Sequence, residues 1–229
     1  MTLKGILFDF NGTLLFDSDL HMDAFRQVFP MFGQPAPTDE FMIGKLFGRT
    51  NETIWKENFD PTGNKADVER FTDAKEGLYR ESCLANRQIF RLIDGAEELL
   101  NYLKEKSIPF ALATGSDFGN VSFYLRELGL DRWFSEENMV WDDGTYPGKP
   151  APEIYRKAAA KLGLDPSECL VFEDGTSGIR AANAAGAGAV TVICEAKLPS
   201  PLTDETKVAG VHHDLRDWKT ILAEYGLLR

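Results

Sequence analysis

The stretch Ile6-Leu7-Phe8-Asp9-Phe10-Asn11-Gly12-Thr13 decides the fold. Three consecutive apolar residues, rather than an alternating pattern, suit a strand buried on both faces, as in a parallel sheet. The run ends abruptly on an acid, and Gly12 permits a tight exit. Three further runs read the same way: Phe110-Ala111-Leu112-Ala113, Leu170-Val171-Phe172 and Val190-Thr191-Val192-Ile193. Helical spacing separates them. Ala96, Leu99, Leu100 and Leu103 recur at i, i+3, i+4, i+7. Val121, Leu125 and Leu128 mark a helix stopped at Gly129. Pro152 opens a helix with an Ile154, Tyr155, Ala158, Leu162 stripe, and an Ala-rich helix runs from Gly178 to Gly186. Strand–helix alternation from about residue 90 onward predicts an α/β doubly wound parallel sheet.

Residues 16–89 break the rhythm. The spacing predicts helices over 18–30, 38–46, 50–58 and 65–86, and no strand. Phe25, Phe29, Phe32, Phe41, Phe47, Phe59 and Phe71, with Trp55, are expected to form its core. The segment reads as a smaller all-helical insert into a core of 1–15 and 90–229.

The composition narrows the function classes. The 229 residues carry 25 Lys+Arg against 36 Asp+Glu, a formal charge of −11. No Lys/Arg-dense run occurs, which speaks against nucleic acid, and an acidic surface repels anionic lipid. No stretch approaches about 18 apolar residues, so no membrane span is expected. The N-terminal apolar run is too short for a signal peptide. Cys83, Cys169 and Cys194 are odd in number and lack zinc-ligand spacing. The expectation is a reduced, cytoplasmic protein, a monomer or weak homo-oligomer, in which the sequons at Asn11, Asn51 and Asn120 are chance matches.

Four places combine a strand end with reactive groups. Asp9 follows the first strand, in the crevice where open α/β sheets bind ligands; alternatively it is an acid in a turn. Thr114-Gly115-Ser116 follows the second, and hydroxyls and amides before a helix can hold phosphate; Ser116 or Asp117 would equally serve as a cap. Lys149 is pinned between Gly148 and Pro150, or is a solvated loop lysine. Glu173-Asp174 ends the Leu170 strand, an acid pair suited to a hard cation such as Mg²⁺, or a cap for the Ala-rich helix. Each signal alone has its structural alternative. Chance capping is not expected to supply acid, hydroxyl, lysine and acid pair in order at successive strand ends.

Asp9-Phe10-Asn11-Gly12-Thr13-Leu14, Ala113-Thr114-Gly115-Ser116, Gly148-Lys149-Pro150-Ala151-Pro152-Glu153 and Phe172-Glu173-Asp174-Gly175 resemble the four motifs of the haloacid dehalogenase superfamily. The insert is positioned like the helical cap of its β-phosphoglucomutase-like branch. The resemblance implies a Rossmann-like core with a cap over 16–89, and a Mg²⁺-dependent phosphatase acting on a small phosphorylated metabolite such as a sugar phosphate. It implies Asp9 as the nucleophile that forms an aspartyl-phosphate, and Asp9, Asp174 and the Asn11 carbonyl as Mg²⁺ ligands, supported by Glu173. Thr114 and the Gly115 and Ser116 amides would hold phosphoryl oxygens, and Lys149 would neutralise charge. In the cap, His21 would reach the active site, or is a surface histidine. Arg49 would bind a second anionic group, or is a loop arginine before a helix capped by Thr50 or Asn51. Asp142-Asp143-Gly144 reads as a turn, and His212-His213 receives no role.

One residue departs from the pattern. The family usually places an aspartate acid/base at position 11, and an amide cannot replace it; losing such a group typically costs ~10²–10⁴ in rate. Three explanations stand open. Turnover is slow or confined to good leaving groups; a cap residue, with His21 the candidate, substitutes; or Asn11 is engineered or deamidates at its Asn-Gly bond. A phosphohexomutase is the runner-up activity, with phosphonate or haloacid hydrolysis and simple phosphate binding further behind. The charge of −11 sharpens the metal expectation, because an anionic substrate requires local reversal of the field.

Overall fold

The computed structural model describes residues 3–204 and 206–229. Two compact units emerge, Met1–Phe16 with Arg91–Arg229, and Asp17–Phe90.

The first unit is built on a sheet of β1 (Gly5–Phe8), β2 (Phe110–Ala113), β3 (Met139–Val140), β4 (Cys169–Glu173), β5 (Ala189–Ile193) and β6 (Gly210–His212). All neighbours pair in parallel, in the order β3-β2-β1-β4-β5-β6. α5 (Ala96–Glu105), α6 (Phe118–Leu128), α7 (Glu153–Lys161), α8 (Thr176–Ala185) and α9 (Trp218–Glu224) accompany it. The chain reverses direction across the sheet between β1 and β4. At such a switch point the flanking loops diverge and leave a crevice beyond the strand C-termini.

Register decides which face meets that crevice. Leu7 pairs with Val171 and Phe8 with Phe172. Leu7, Ala111, Ala113, Val171, Val190 and Val192 pack in one core with Ile154 and Tyr155 of α7 and Ile179 of α8. Side chains alternate along a strand, so Asp9 and Glu173, two residues beyond Leu7 and Val171, share that face. The Phe8 and Phe172 rings stack 5.1 Å apart on the other.

β3 and β6 carry no usable sequence signal. The two strands have two and three residues, too few for periodicity, and they exist through pairing with β2 and β5.

The second unit contains α1 (Ser18–Met31), α2 (Asp39–Phe41), α3 (Asn51–Asn58) and α4 (Lys65–Ala85). Its core joins Phe25, Val28, Phe29, Met42, Leu46, Ile54, Trp55 and Phe71, with the Trp55 and Phe59 rings stacked at 4.9 Å. The helix expected over 38–46 is interrupted. After α2 the chain widens into a π-turn over Met42–Leu46, closed by the Phe47 amide on the Met42 carbonyl. Met42 and Leu46, four residues apart, are the buried residues of this segment. No helix among the described residues is long and apolar enough to cross a membrane.

Candidate active site

Asp9 leaves β1 with its amide bonded to the Phe172 carbonyl, 2.9 Å, which places it beside Glu173. Both are buried. Lys149, from the loop before α7, inserts between them. Its Nζ lies 2.5 Å from Asp9 Oδ1 and 2.5 Å from Glu173 Oε1. Of the two readings of Lys149, the structure adopts the paired one.

Glu173 is saturated. Oε1 also accepts the Tyr155 hydroxyl at 2.7 Å, and Oε2 accepts the Asp174 and Gly175 amides at 2.8 and 3.0 Å. Its carboxyl is therefore held below the usual carboxylate range: burial opposes ionisation, but Lys149 and these donors outweigh it. Asp9 has fewer donors. Burial pushes it up to about 7; Lys149 resists, and the neighbouring Glu173 charge adds to the push. The Lys149 ammonium is held well above its usual range, because Asp9 and Glu173 together overcome the cost of burial. Burial and the Glu173 charge raise the Tyr155 hydroxyl well above the usual phenol range. Its ring also lies 5.1 Å from Nζ.

Two glycines make room for the acids. A Cβ on Gly12, whose φ is +81°, would fall 2.0 Å from Asp174 Oδ2. One on Gly178 of α8 would fall 1.6 Å from Glu173 Oε1. Asp174 does not cap α8; that position belongs to Gly175, with no side-chain hydrogen bond.

One carboxylate oxygen each from Asp9, Glu173 and Asp174 lie within 4.8 Å of one another. A hard, oxygen-only donor set of this kind fits Mg²⁺ and not a thiophilic metal. Because Glu173 already accepts four protein donors, Asp9 and Asp174 are the better placed direct ligands.

Asn11 is tied at both ends of its amide. Its Oδ1 accepts the Ser116 hydroxyl at 2.8 Å, and its Nδ2 donates to the Tyr124 hydroxyl at 3.0 Å. Tyr124 is buried on α6, its ring 4.6 Å from that of Phe10. Thr114 is buried and its Oγ1 accepts the Ser116 amide at 3.1 Å, while Gly115 is exposed. The cap of α6 is Asp117, accepting from the Asn120 amide, so Ser116 is released to face Asn11.

Seven predicted residues thus gather at the strand ends: Asp9, Asn11, Thr114, Ser116, Lys149, Glu173 and Asp174. His21 and Arg49 belong to the other unit. His21 stacks on Tyr79, 4.0 Å between ring centres. Lys75 Nζ is 3.1 Å from its Nδ1, and Asp17 Oδ2 is 3.3 Å from its Nε2. An ammonium can only donate, so Nδ1 accepts and Nε2 carries the hydrogen facing Asp17. Tyr79 also donates to Asp17 at 2.6 Å. Arg49 pairs with Glu57 at 3.1 Å, and Thr50 caps α3. The Gly144 amide closes the expected Asp142-Asp143-Gly144 turn on Asp142 Oδ1.

Sequence reasoning missed Tyr155 and Tyr124, which fall on apolar helical stripes. The available signal was the phenol itself: a buried tyrosine hydroxyl needs a partner, and Tyr155 lies in the first turn of α7, just after the Lys149 loop.

The haloacid dehalogenase-like hydrolase family model matches residues 3–186. A phosphorylated carbohydrates phosphatase of Thermotoga maritima is 28% identical over 220 residues, covering 96% of this chain and 90% of its own. The fructose-1-phosphate phosphatase YqaB of Escherichia coli is 32% identical over 193 residues, 82% and 95% of the two chains. Among solved structures, a family IA, variant 3 HAD hydrolase from Entamoeba histolytica is 36% identical, covers 98% of both chains and superposes with a TM-score of 0.84. A β-phosphoglucomutase from Clostridium difficile shares the fold, with a TM-score of 0.74 at 19% identity over 98% and 97% of the chains.

Proposed function

The chain belongs to the haloacid dehalogenase-like hydrolases and is a phosphoric monoester hydrolase; from that premise we propose that it removes phosphate from a small phosphorylated carbohydrate, with Mg²⁺ and with Asp9 as nucleophile. The observation that carries this reading is the Asp9–Lys149–Glu173 cluster at the sheet's switch point, with Asp174 beside it. A carboxylate whose approach to an anionic phosphoryl group is masked by a fixed ammonium is equipped for covalent catalysis. Phosphoryl transfer requires mainly positioning and charge stabilisation. Lys149 anchors Asp9 Oδ1, leaving Oδ2 to attack. Glu173 holds Lys149 in place and does not itself react. Thr114 and the Gly115–Ser116 segment receive the phosphoryl oxygens. Asp9, Asp174 and the Asn11 carbonyl would hold Mg²⁺, which when bound offsets the mutual repulsion of two anions. Asn11, with no titrating proton, weighs against a mutase, which needs acid/base help in both directions.

The substrate class rests on what the named relatives act on, a phosphorylated carbohydrate and fructose 1-phosphate. A panel of sugar phosphates and aryl phosphates, assayed for phosphate release with and without Mg²⁺, tests the reading. Release from at least one sugar phosphate, lost in EDTA and in Asp9→Ala, is expected. Undiminished turnover by Asp9→Ala, or indifference to EDTA, would overturn it.

A further inference from the structure

Phe118 opens α6 two residues after Ser116 and is 53% exposed. Among the described residues it is the one exposed large hydrophobic side chain within two positions of a site residue. Single exposed apolar residues are ordinary, but this one is held in a pair. Its ring lies 5.4 Å from that of the half-buried Trp141, tilted by 44°. Both backbones are fixed. Asp117 caps α6 on the Asn120 amide, the Asp142 amide donates to the Ser116 carbonyl at 3.0 Å, and the Tyr146 hydroxyl donates to the Trp141 carbonyl. The loop after β3 is thereby tied to the segment whose Ser116 hydroxyl meets Asn11.

Resting on the phosphatase reading above, we propose that Phe118 and Trp141 form a stacking platform that selects a phosphorylated sugar carrying a flat heterocyclic ring at the end away from the phosphate. The strand order gives the direction. Phe118 begins the helix after β2, and Trp141 follows β3, on one side of β1. The β4 side holds the charged groups Lys149, Glu173 and Asp174. With the phosphoryl group at Asp9, Thr114 and Ser116, the apolar part of a substrate therefore gains most by lying toward β3. The end of β3 is two strands from β1, about 10 Å at ordinary strand spacing. A ring bonded directly to the phosphate falls short of that span, whereas one borne on the far side of a sugar reaches it. The neighbouring acids Asp117 and Asp142 repel a second phosphate there, which suits a neutral ring. Stacking removes apolar area from water and adds the attraction between ring faces. Because the two rings are already paired, little ordering is needed on binding. Stacking of this kind tolerates any base, since every base has a π-face.

The test measures phosphate release by the intact protein with Mg²⁺. The esters are ribose 5-phosphate, the uridine and adenosine 5′-monophosphates that add a base to the same sugar, and glucose 6-phosphate, whose ring is saturated. kcat/KM for both nucleotides should exceed that for ribose 5-phosphate by about 10- to 100-fold. Phe118→Ala and Trp141→Ala should bring that ratio close to one, and Phe118→Tyr, which keeps a ring, should hold it. Phe118 is exposed, so its truncation leaves the core intact. A ratio of one in the unmodified protein, with sugar phosphates turned over, overturns the platform and leaves the phosphatase reading standing. A nucleotide preference untouched by Phe118→Ala and Trp141→Ala overturns the role given to the pair. A preference for glucose 6-phosphate that Phe118→Ala removes overturns the heterocycle in favour of a saturated ring. No release from any of these esters or from aryl phosphates overturns the phosphatase reading and this inference together.

Discussion

Replacing Glu76 by glutamine tests whether the polar cluster around His21 is as tightly committed as its distances indicate. Lys75 and Glu76 are adjacent on α4 and are 5% and 7% exposed. Their side chains meet at 2.9 Å, and Asn51 Nδ2 donates to the same carboxylate oxygen at 2.8 Å. Burial opposes the Glu76 charge, but the Lys75 charge and the hydrogen bonds from Lys75 and Asn51 overcome it and hold the group at about 2. A carboxyl held below its unfolded value stabilises the fold above that value and loses the contribution as pH falls through the folded one. The window is therefore about pH 5 down to pH 2. A drop of two to three units is worth about 3 kcal/mol at neutral pH. Removing one partner of a buried pair costs about 3–5 kcal/mol by an independent route. Urea unfolding followed by far-UV circular dichroism should show Glu76→Gln about 3 kcal/mol less stable at pH 7, the gap closing to about 1 kcal/mol by pH 3. The double variant Lys75→Met/Glu76→Leu should recover most of the loss, since a well-packed apolar pair removes the stranded charge. A pH-independent gap, or a cost below about 1 kcal/mol for Glu76→Gln, would refute the reasoning.

Four further outcomes are expected. Tyr155→Phe keeps the ring near Lys149 but strips the hydroxyl from Glu173; it should cost about 1.5–3 kcal/mol in urea unfolding and about 10-fold in kcat. Gly178→Ala gains about 1 kcal/mol of helix propensity, yet its Cβ would meet Glu173 Oε1 at 1.6 Å, so thermal melting should record a net loss and phosphate release should fall. Saturating Mg²⁺ should raise the unfolding free energy in urea, by about 2.7 kcal/mol at a hundredfold excess over Kd, and Asp174→Asn should remove most of that gain. Deamidation requires the Gly12 nitrogen to attack the Asn11 side chain. That nitrogen donates to the Leu15 carbonyl at 2.7 Å, and Ser116 and Tyr124 hold the amide. Peptide mapping after prolonged incubation should therefore find Asn11 intact in the folded protein and converted in the unfolded one.

Much of this molecule can be read along the chain because its signals are local. A continuous apolar run ended by an acid marks both β1 with Asp9 and β4 with Glu173, since burial on both faces demands the run and the open strand end tolerates the charge. Lys149 is conspicuous through its Gly and Pro neighbours, and the Asp117 and Thr50 caps follow from short-range hydrogen bonding. The π-turn at Met42–Leu46 is not legible in this way, because the i, i+4 apolar spacing that it carries is the one an ordinary α-helix would also show.

Residue order alone therefore indicated the parallel sheet, the helical insert and the reactive groups beside the strand ends. Folding in three dimensions settled the partners. The β1–β4 register puts Asp9 and Glu173 side by side on the α7 face, where one lysine bridges both and the core ring Tyr155 also becomes a hydrogen-bond donor. On the other side of β1, where it pairs with β2, the Asn11 amide is clasped between Ser116 and Tyr124, residues more than a hundred positions away. Periodicity reports which face a residue occupies; it carries no information about which distant group will meet it there, because that is set by strand order, register and the desolvation that makes each buried charge or amide find a partner.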